Sequence, residues 1–220
     1  MKRSGLITIG AFILIFIGGI SASYQLLKPK QTLKIYKPSD INPKLVDEAI
    51  RNTNGEHTIA PFSLLNQNGK IITEKDLDGK IYVADFFFTT CPSICPTMSK
   101  QMLRVFDEFK DNQKIMLLSH TVMPEVDSVA VLKEYALRYG IDSDNKWLFL
   151  TGDKKEIYQL ARKSYFAAIN EGNGDKDDFI HTENFVLIDT KKRIRGFYDG
   201  TNKEEVEKLI EDIHILLEDN

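Results

Sequence analysis

Cysteine is almost missing from this chain of 220 residues: there are two, Cys91 and Cys95, beside one tryptophan, four histidines and seven prolines. So few thiols exclude a disulfide-stapled scaffold of the small secreted kind. A strong positive charge is missing as well. The formal net charge is −3, and Lys2 and Arg3 are the only charges in the first 27 residues, so the remainder carries 27 basic against 32 acidic groups, or −5. Nucleic-acid binders need a basic footprint, and this chain has none. There is no internal repeat and no low-complexity segment. An apolar fraction of 42% with 28% charged residues is that of a globular protein.

The start differs in kind from the rest. "MKRSGLITIGAFILIFIGGISASYQLLK" sets two cations ahead of an uncharged stretch from Ser4 to Leu27. That length suits a helix crossing a ~30 Å hydrocarbon core, with its basic end held in the cytoplasm. Residues 1–27 are therefore expected to anchor the chain in the cytoplasmic membrane with the remainder exported. A cleaved signal peptide is the alternative, since "GISAS" offers small residues for cleavage, although the apolar run exceeds the usual signal core. No cysteine follows the run, which excludes a lipoprotein anchor there. Residues 28–56, with three prolines and many charges, read as a tether with one short helix at Leu45–Arg51. A domain is expected over 57–220.

Within it, "FSLLNQNGKIIT" predicts a hairpin about Asn68-Gly69. "IYVADFFF" (81–88), "KIMLLS" (114–119) and "KWLFLTG" (146–152) predict strands buried on both faces. Helical spacing follows each of them. Pro96 suits the first turn of the first helix, Asp127 is read as the N-cap of the second, and Gly140 lies past its end. Asp153–Ser164 reads as a third helix. "FIHTENFVLIDTKKRIRGFYDG" predicts two strands about a turn, and Glu204–Leu217 a closing helix. Alternating strands and helices imply an α/β domain with a central mixed sheet, largely parallel with antiparallel additions and flanked by helices, a thioredoxin-like layout with an extra N-terminal hairpin. Sites in such sheets gather outside the carboxyl ends of the strands. "TTCPSIC" leaves the first buried strand there.

The two thiols admit several readings. They are two buried small residues, a structural disulfide, a redox couple or a pair of metal ligands. A bridge across three residues closes too small a loop to stabilise much. A redox couple is favoured by the helix N-terminus, which stabilises thiolate. Against it, the spacing is C-x-x-x-C rather than C-x-x-C, and the stretch before the last hairpin, "DDFIHTENF", has no proline. It has His181. Two thiolates and one imidazole on converging loops make a soft, three-coordinate site suited to Cu(I), whereas zinc wants a fourth ligand. A thiol peroxidase would need threonine three residues ahead of its cysteine, where Phe88 and Pro92 stand. The acidic loop "EGNGDKDD" reads as a solvated turn, so an adaptor role has little support.

"FFFTTCPSICPTM", "LTG" at 150–152 and "FIHTENFVLID" together resemble the Sco/SenC family over about Ile59–Ile213. That resemblance implies a membrane-anchored, thioredoxin-like copper protein serving assembly of the copper A centre of cytochrome c oxidase. Its implied copper ligands are Cys91, Cys95 and His181, holding Cu(I) or Cu(II). Its implied partners are the copper A subunit or another cuproprotein, and a thiol reductant. The alternative is an extracytoplasmic thiol–disulfide oxidoreductase in which Cys91 and Cys95 carry the chemistry. One departure stands out: where the family usually reads V-D-P-E-R-D, this chain reads "VMPEVD" at 122–127, with Met123 in place of an acid. Met123 and the nearby His120 are candidates to assist copper, more simply read as a packing methionine and a capping histidine. His57 and His214 have no such context.

Overall fold

A computed structural model describes residues 13, 15–20, 23, 31–52, 55–142, 146–169, 171–172, 174–175 and 178–219. Most of the expected membrane anchor lies outside the described residues. Those described between 13 and 23 are helical. Among the described residues no helix is long and apolar enough to cross a membrane.

The compact unit Leu33–Asn220 is built on one seven-stranded sheet. A hairpin of β1 (Ser63–Asn66) and β2 (Ile71–Thr73) comes first. Asn66 shapes its turn by accepting from Asn68 N and Lys70 N at 3.0 Å, and Gly69 supplies the left-handed φ of 76°. There follow β3 (Ile81–Phe87), α1 (Ile94–Phe109), β4 (Ile115–Thr121), α2 (Val129–Arg138), β5 (Trp147–Thr151) and α3 (Lys154–Gln159). The chain closes with β6 (Asn184–Ile188), β7 (Ile194–Asp199) and α4 (Lys203–Asp219).

Strand order is β2-β1-β5-β4-β3-β6-β7. Only β5, β4 and β3 are mutually parallel; β1 joins β5, and β6 joins β3, in antiparallel sense. The sheet is therefore mixed, a parallel centre with antiparallel strands added on both sides, as expected. Every residue of β3 is buried, as its unbroken apolar run requires. Ile81, Val83 and Phe87 face α1, α2 and α4; Tyr82, Ala84 and Phe86 face α3 and the N-terminal segment. Met98, Met102, Val105 and Phe109 seat α1, each burial being worth about 1.5–3 kcal/mol. The helix thus presents its N-terminus at the carboxyl edge of β3.

Four local expectations are corrected. Leu45–Arg51 forms turns rather than a helix, because Asp47 O accepts from both Ile50 N and Arg51 N and its carboxylate from Ala49 N, closing a single turn. Ser128, not Asp127, caps α2, accepting from Val131 N. The third helix narrows to Lys154–Gln159 and widens into a π turn over Leu160–Ser164. The segment expected to be only a tether packs on the sheet from Leu33 onward: Arg195 donates to Leu33 O (2.7 Å) and Lys34 O (3.1 Å), Tyr36 N to Ile194 O (2.9 Å), and Ile41 and Val46 are buried. Ile194 neighbours Ile188, which pairs with Tyr82 at the start of β3, so the chain docks at the sheet end opposite the cysteines.

Candidate metal centre

After Phe87 the chain turns through Thr89 and Cys91 into α1, whose second residue is Cys95. Cys91 N donates to Phe88 O at 3.2 Å, closing the first turn. Asp127 holds the mouth of this turn. It is fully buried, and its carboxylate accepts from Thr89 N (3.2 Å), from the Thr89 hydroxyl (2.5 Å) and from the Thr121 hydroxyl. The residue read as a helix cap thus joins the cysteine loop to the end of β4. Asp127→Ala strands three donors in a dry site, at a cost of about 3 kcal/mol. The expected result is a melting temperature lower by about 6–12 °C for a unit of this size, with Asp127→Asn losing less; an unchanged melt would sink this role for Asp127.

Both thiols are free and buried, Cys91 6% and Cys95 3% exposed. Cys91 Sγ lies 3.7 Å from the Ser93 hydroxyl, and the surroundings of the two thiols split their acidities. Burial pushes Cys91 up, but the Cys95 thiol and the backbone N–H groups of Cys95 and Ser93 outweigh it and leave Cys91 below its ordinary value. Cys95, pushed first by burial and then by the neighbouring Cys91 sulfur, rises to about 12. Cys91 is therefore the more acidic thiol of the pair, and Cys95 stays protonated.

Beneath them lies a group the sequence reading passed over. Asp85 sits inside β3 on the α1 side, 2% exposed; Ser119 hydrogen-bonds one side of its carboxyl, and Oδ1 has no partner among the described residues. Burial lifts it to about 7, and its charge adds to what keeps Cys95 protonated. An acid in the middle of a strand buried on both faces was the available signal.

His181 stands on the segment leading into β6. Ile180 and Thr182 point inward and are buried, so His181 points out and is exposed. Phe179, two residues earlier, meets Phe88 edge-to-face at 5.3 Å, which brings this segment against the cysteine loop. Among the described residues, however, no three His, Cys, Asp or Glu side chains are gathered closely enough to hold a metal ion. The structure joins Cys91 with Cys95 and brings the segment of His181 alongside without closing the triad.

The other histidines serve the fold. His120 is fully buried on the sheet face away from the cysteines, stacked on Phe86 at 4.9 Å, with Nδ1 3.3 Å from Asp85 O. Burial holds it down at about 4. It is not placed to assist a metal at Cys91, and Met123 packs against the core on that same face. His57 Nε2 lies 2.7 Å from Ser164 O, and His214 pairs with Glu108 at 3.1 Å on the outside of α4.

A family model described as SCO1/SenC matches residues 50–218. The SCO1 protein homolog of Bacillus subtilis (strain 168) is 33% identical over 159 residues, covering 71% of this chain and 81% of that protein. A solved structure of BsSco, described as a member of the Sco family of cytochrome c oxidase assembly proteins with a disulfide switch, superposes with TM-score 0.61 at 33% identity over 72% of this chain and 92% of that one. Yeast Sco1 with copper bound gives TM-score 0.54 at 30% identity over 72% and 89%. Family match, identity and fold agree over the part of the chain that carries both cysteines and the histidine: this chain belongs to the SCO1/SenC family.

Proposed function

We propose that this protein is a copper-binding metallochaperone of the extracytoplasmic face, held at the membrane by residues 1–27, which delivers copper to the copper A site of cytochrome c oxidase or prepares that site's thiols. The observation that carries the reading is the adjacent, reduced pair Cys91 and Cys95 at the N-terminus of α1, in a chain with no other thiol. Relatives solved with copper bound support it. The donor set fits the cargo. Two sulfurs and one imidazole suit Cu(I), and Cys91, held below its ordinary value, gives up its proton to a metal more readily. His181 supplies the third donor when its segment moves in over the thiols. An anchor raises the effective concentration of the domain near a membrane-bound acceptor. Oxidation of the pair to a disulfide removes both sulfur ligands, so the redox state gates loading.

A second reading rests on the split acidities. The Cys91 thiolate attacks a partner disulfide, one partner sulfur leaves as thiolate, and Cys95 then displaces the partner from the mixed disulfide. The pair ends oxidised and the partner gains two electrons.

The deciding measurement is copper stoichiometry on the reduced full-length chain beside His181→Ala. One Cu(I) per chain, with affinity sharply weakened in the variant, is the expected result. A chain that bound no copper yet exchanged its disulfide with a thiol reductant would overturn the metallochaperone reading in favour of the oxidoreductase.

A further inference from the structure

A buried ion pair stands just ahead of His181 in the fold. The π turn after α3 rotates Arg162 inward, where its guanidinium is 7% exposed against a carboxylate of Asp178 that is 10% exposed. The pair is bidentate, with Nη1 to Oδ2 at 2.6 Å and Nη2 to Oδ1 at 2.7 Å. The remaining donor, Nε, reaches Ile169 O at 3.1 Å. One rigid fork therefore holds Ile169 O and the Asp178 carboxylate together, a task for which a lysine has the charge but not the geometry. Asp178 also accepts from Gly174 N at 2.6 Å.

Both sides of the clasp are braced. Arg162 lies over the ring of Tyr158 at 5.3 Å, and the Tyr158 hydroxyl donates to Val122 O at 2.9 Å, at the edge where β4 leaves the sheet. Past the π turn, Phe166 takes a left-handed φ of 50°, unusual for a bulky residue, and is held there by full burial. That turn aims Ala167 O at the Thr182 hydroxyl (2.6 Å) and at Asn184 Nδ2 (2.9 Å). Asp178 stands three residues before His181, and Thr182 one residue after it. The imidazole is thus carried on a short bridge pinned at both ends, with Phe179 resting on Phe88 of the cysteine loop between them.

We propose that Arg162 and Asp178 are positioning residues for His181: the clasp confines the segment so that the imidazole waits at the rim of the thiol pair and closes on a bound copper ion at little cost in chain entropy. This inference rests on the reading of Cys91, Cys95 and His181 as the copper donors. Groups that orient a metal ligand from behind typically weaken binding by about 10–100-fold when lost.

The test is a Cu(I) competition titration against a chromogenic Cu(I) chelator on the reduced full-length chain, in four forms: wild type, His181→Ala, Asp178→Asn and the double variant. Asp178→Asn is expected to lower affinity by about 10-fold or more, without passing below His181→Ala, and to change nothing further in the His181→Ala background. Equal losses in both backgrounds would make the clasp a support of the fold or the thiols and would overturn the proposal. So would an unaltered affinity in Asp178→Asn while His181→Ala is weakened. If His181→Ala itself binds as tightly as wild type, the donor assignment fails first, a separable outcome. Should Asp178→Asn not fold, the pair Arg162→Met with Asp178→Asn removes the buried charge along with its partner and carries the same expectation.

Discussion

Replacing Asp85 by asparagine is expected to flatten the pH dependence of stability between about pH 4 and pH 7. The carboxyl is buried against α1 with one oxygen unpartnered, and burial raises it from 3.8 to about 7. The sign follows from which state keeps the proton. Below pH 4 both the folded and the unfolded chain hold it, and the group's full contribution to stability is present. As pH rises toward 7 the unfolded chain releases the proton while the folded chain retains it, so folding loses about 1.4 kcal/mol per pH unit. Above 7 the fold carries a buried anion, and the accumulated loss is ~4 kcal/mol. Asparagine cannot ionise. Its amide leaves donors without acceptors, a cost of about 1–3 kcal/mol that does not vary with pH. Denaturant unfolding of the reduced chain at pH 4 and pH 8 should therefore show the variant improving relative to wild type by ~4 kcal/mol across that interval. Every other carboxylate cancels in the comparison. Parallel profiles would mean that Asp85 titrates as an ordinary surface acid.

Asp85 also marks where sequence reading stops. Continuous apolar runs located β3, β4 and β5 closely, because a strand buried on both faces leaves no room for ambiguity of period. Helical spacing and a glycine beyond the end located α2, whose C-terminal Gly140 takes φ 76° as a left-handed cap requires. The cysteine loop was placed at the correct edge by topology alone. What escaped were properties of pairs distant in sequence. Asp127 lies two residues before a helix, and local rules offer it as a cap; that Thr89 and Thr121 converge on it is decided by the parallel register of β3 and β4. His120 lies one residue inside the strand edge, and only the alternation of faces separates it from the thiols. Arg162 and Asp178 are sixteen residues apart across a π turn that no spacing announces. The fold was legible from local pattern. The place of the cysteine loop in the fold was legible from order, and the contacts between residues distant in sequence that surround it were not.

Alkylation should separate the two thiols sharply. In the reduced, copper-free chain at pH 7.5, iodoacetamide is expected to modify Cys91 well ahead of Cys95. Cys91 lies below its ordinary value, whereas Cys95 at about 12 keeps less than ~0.01% thiolate. The thiolate population of Cys91 is therefore much the larger, and the greater intrinsic nucleophilicity of the more basic thiolate returns only part of that advantage. The populations win. Peptide mapping after a short pulse, restricted to singly modified chains, reads the ratio directly. The asymmetry bears on both readings of the site. For thiol exchange it makes Cys91 the attacking sulfur and Cys95 the one that resolves. For copper it means that loading must strip a proton from Cys95, so apparent affinity climbs with pH, and the Asp85 charge beneath Cys95 opposes that step. Equal rates, or Cys95 reacting first, would show that burial and the neighbouring groups do not divide the pair, and the assignment of attacking and resolving roles would fall with it.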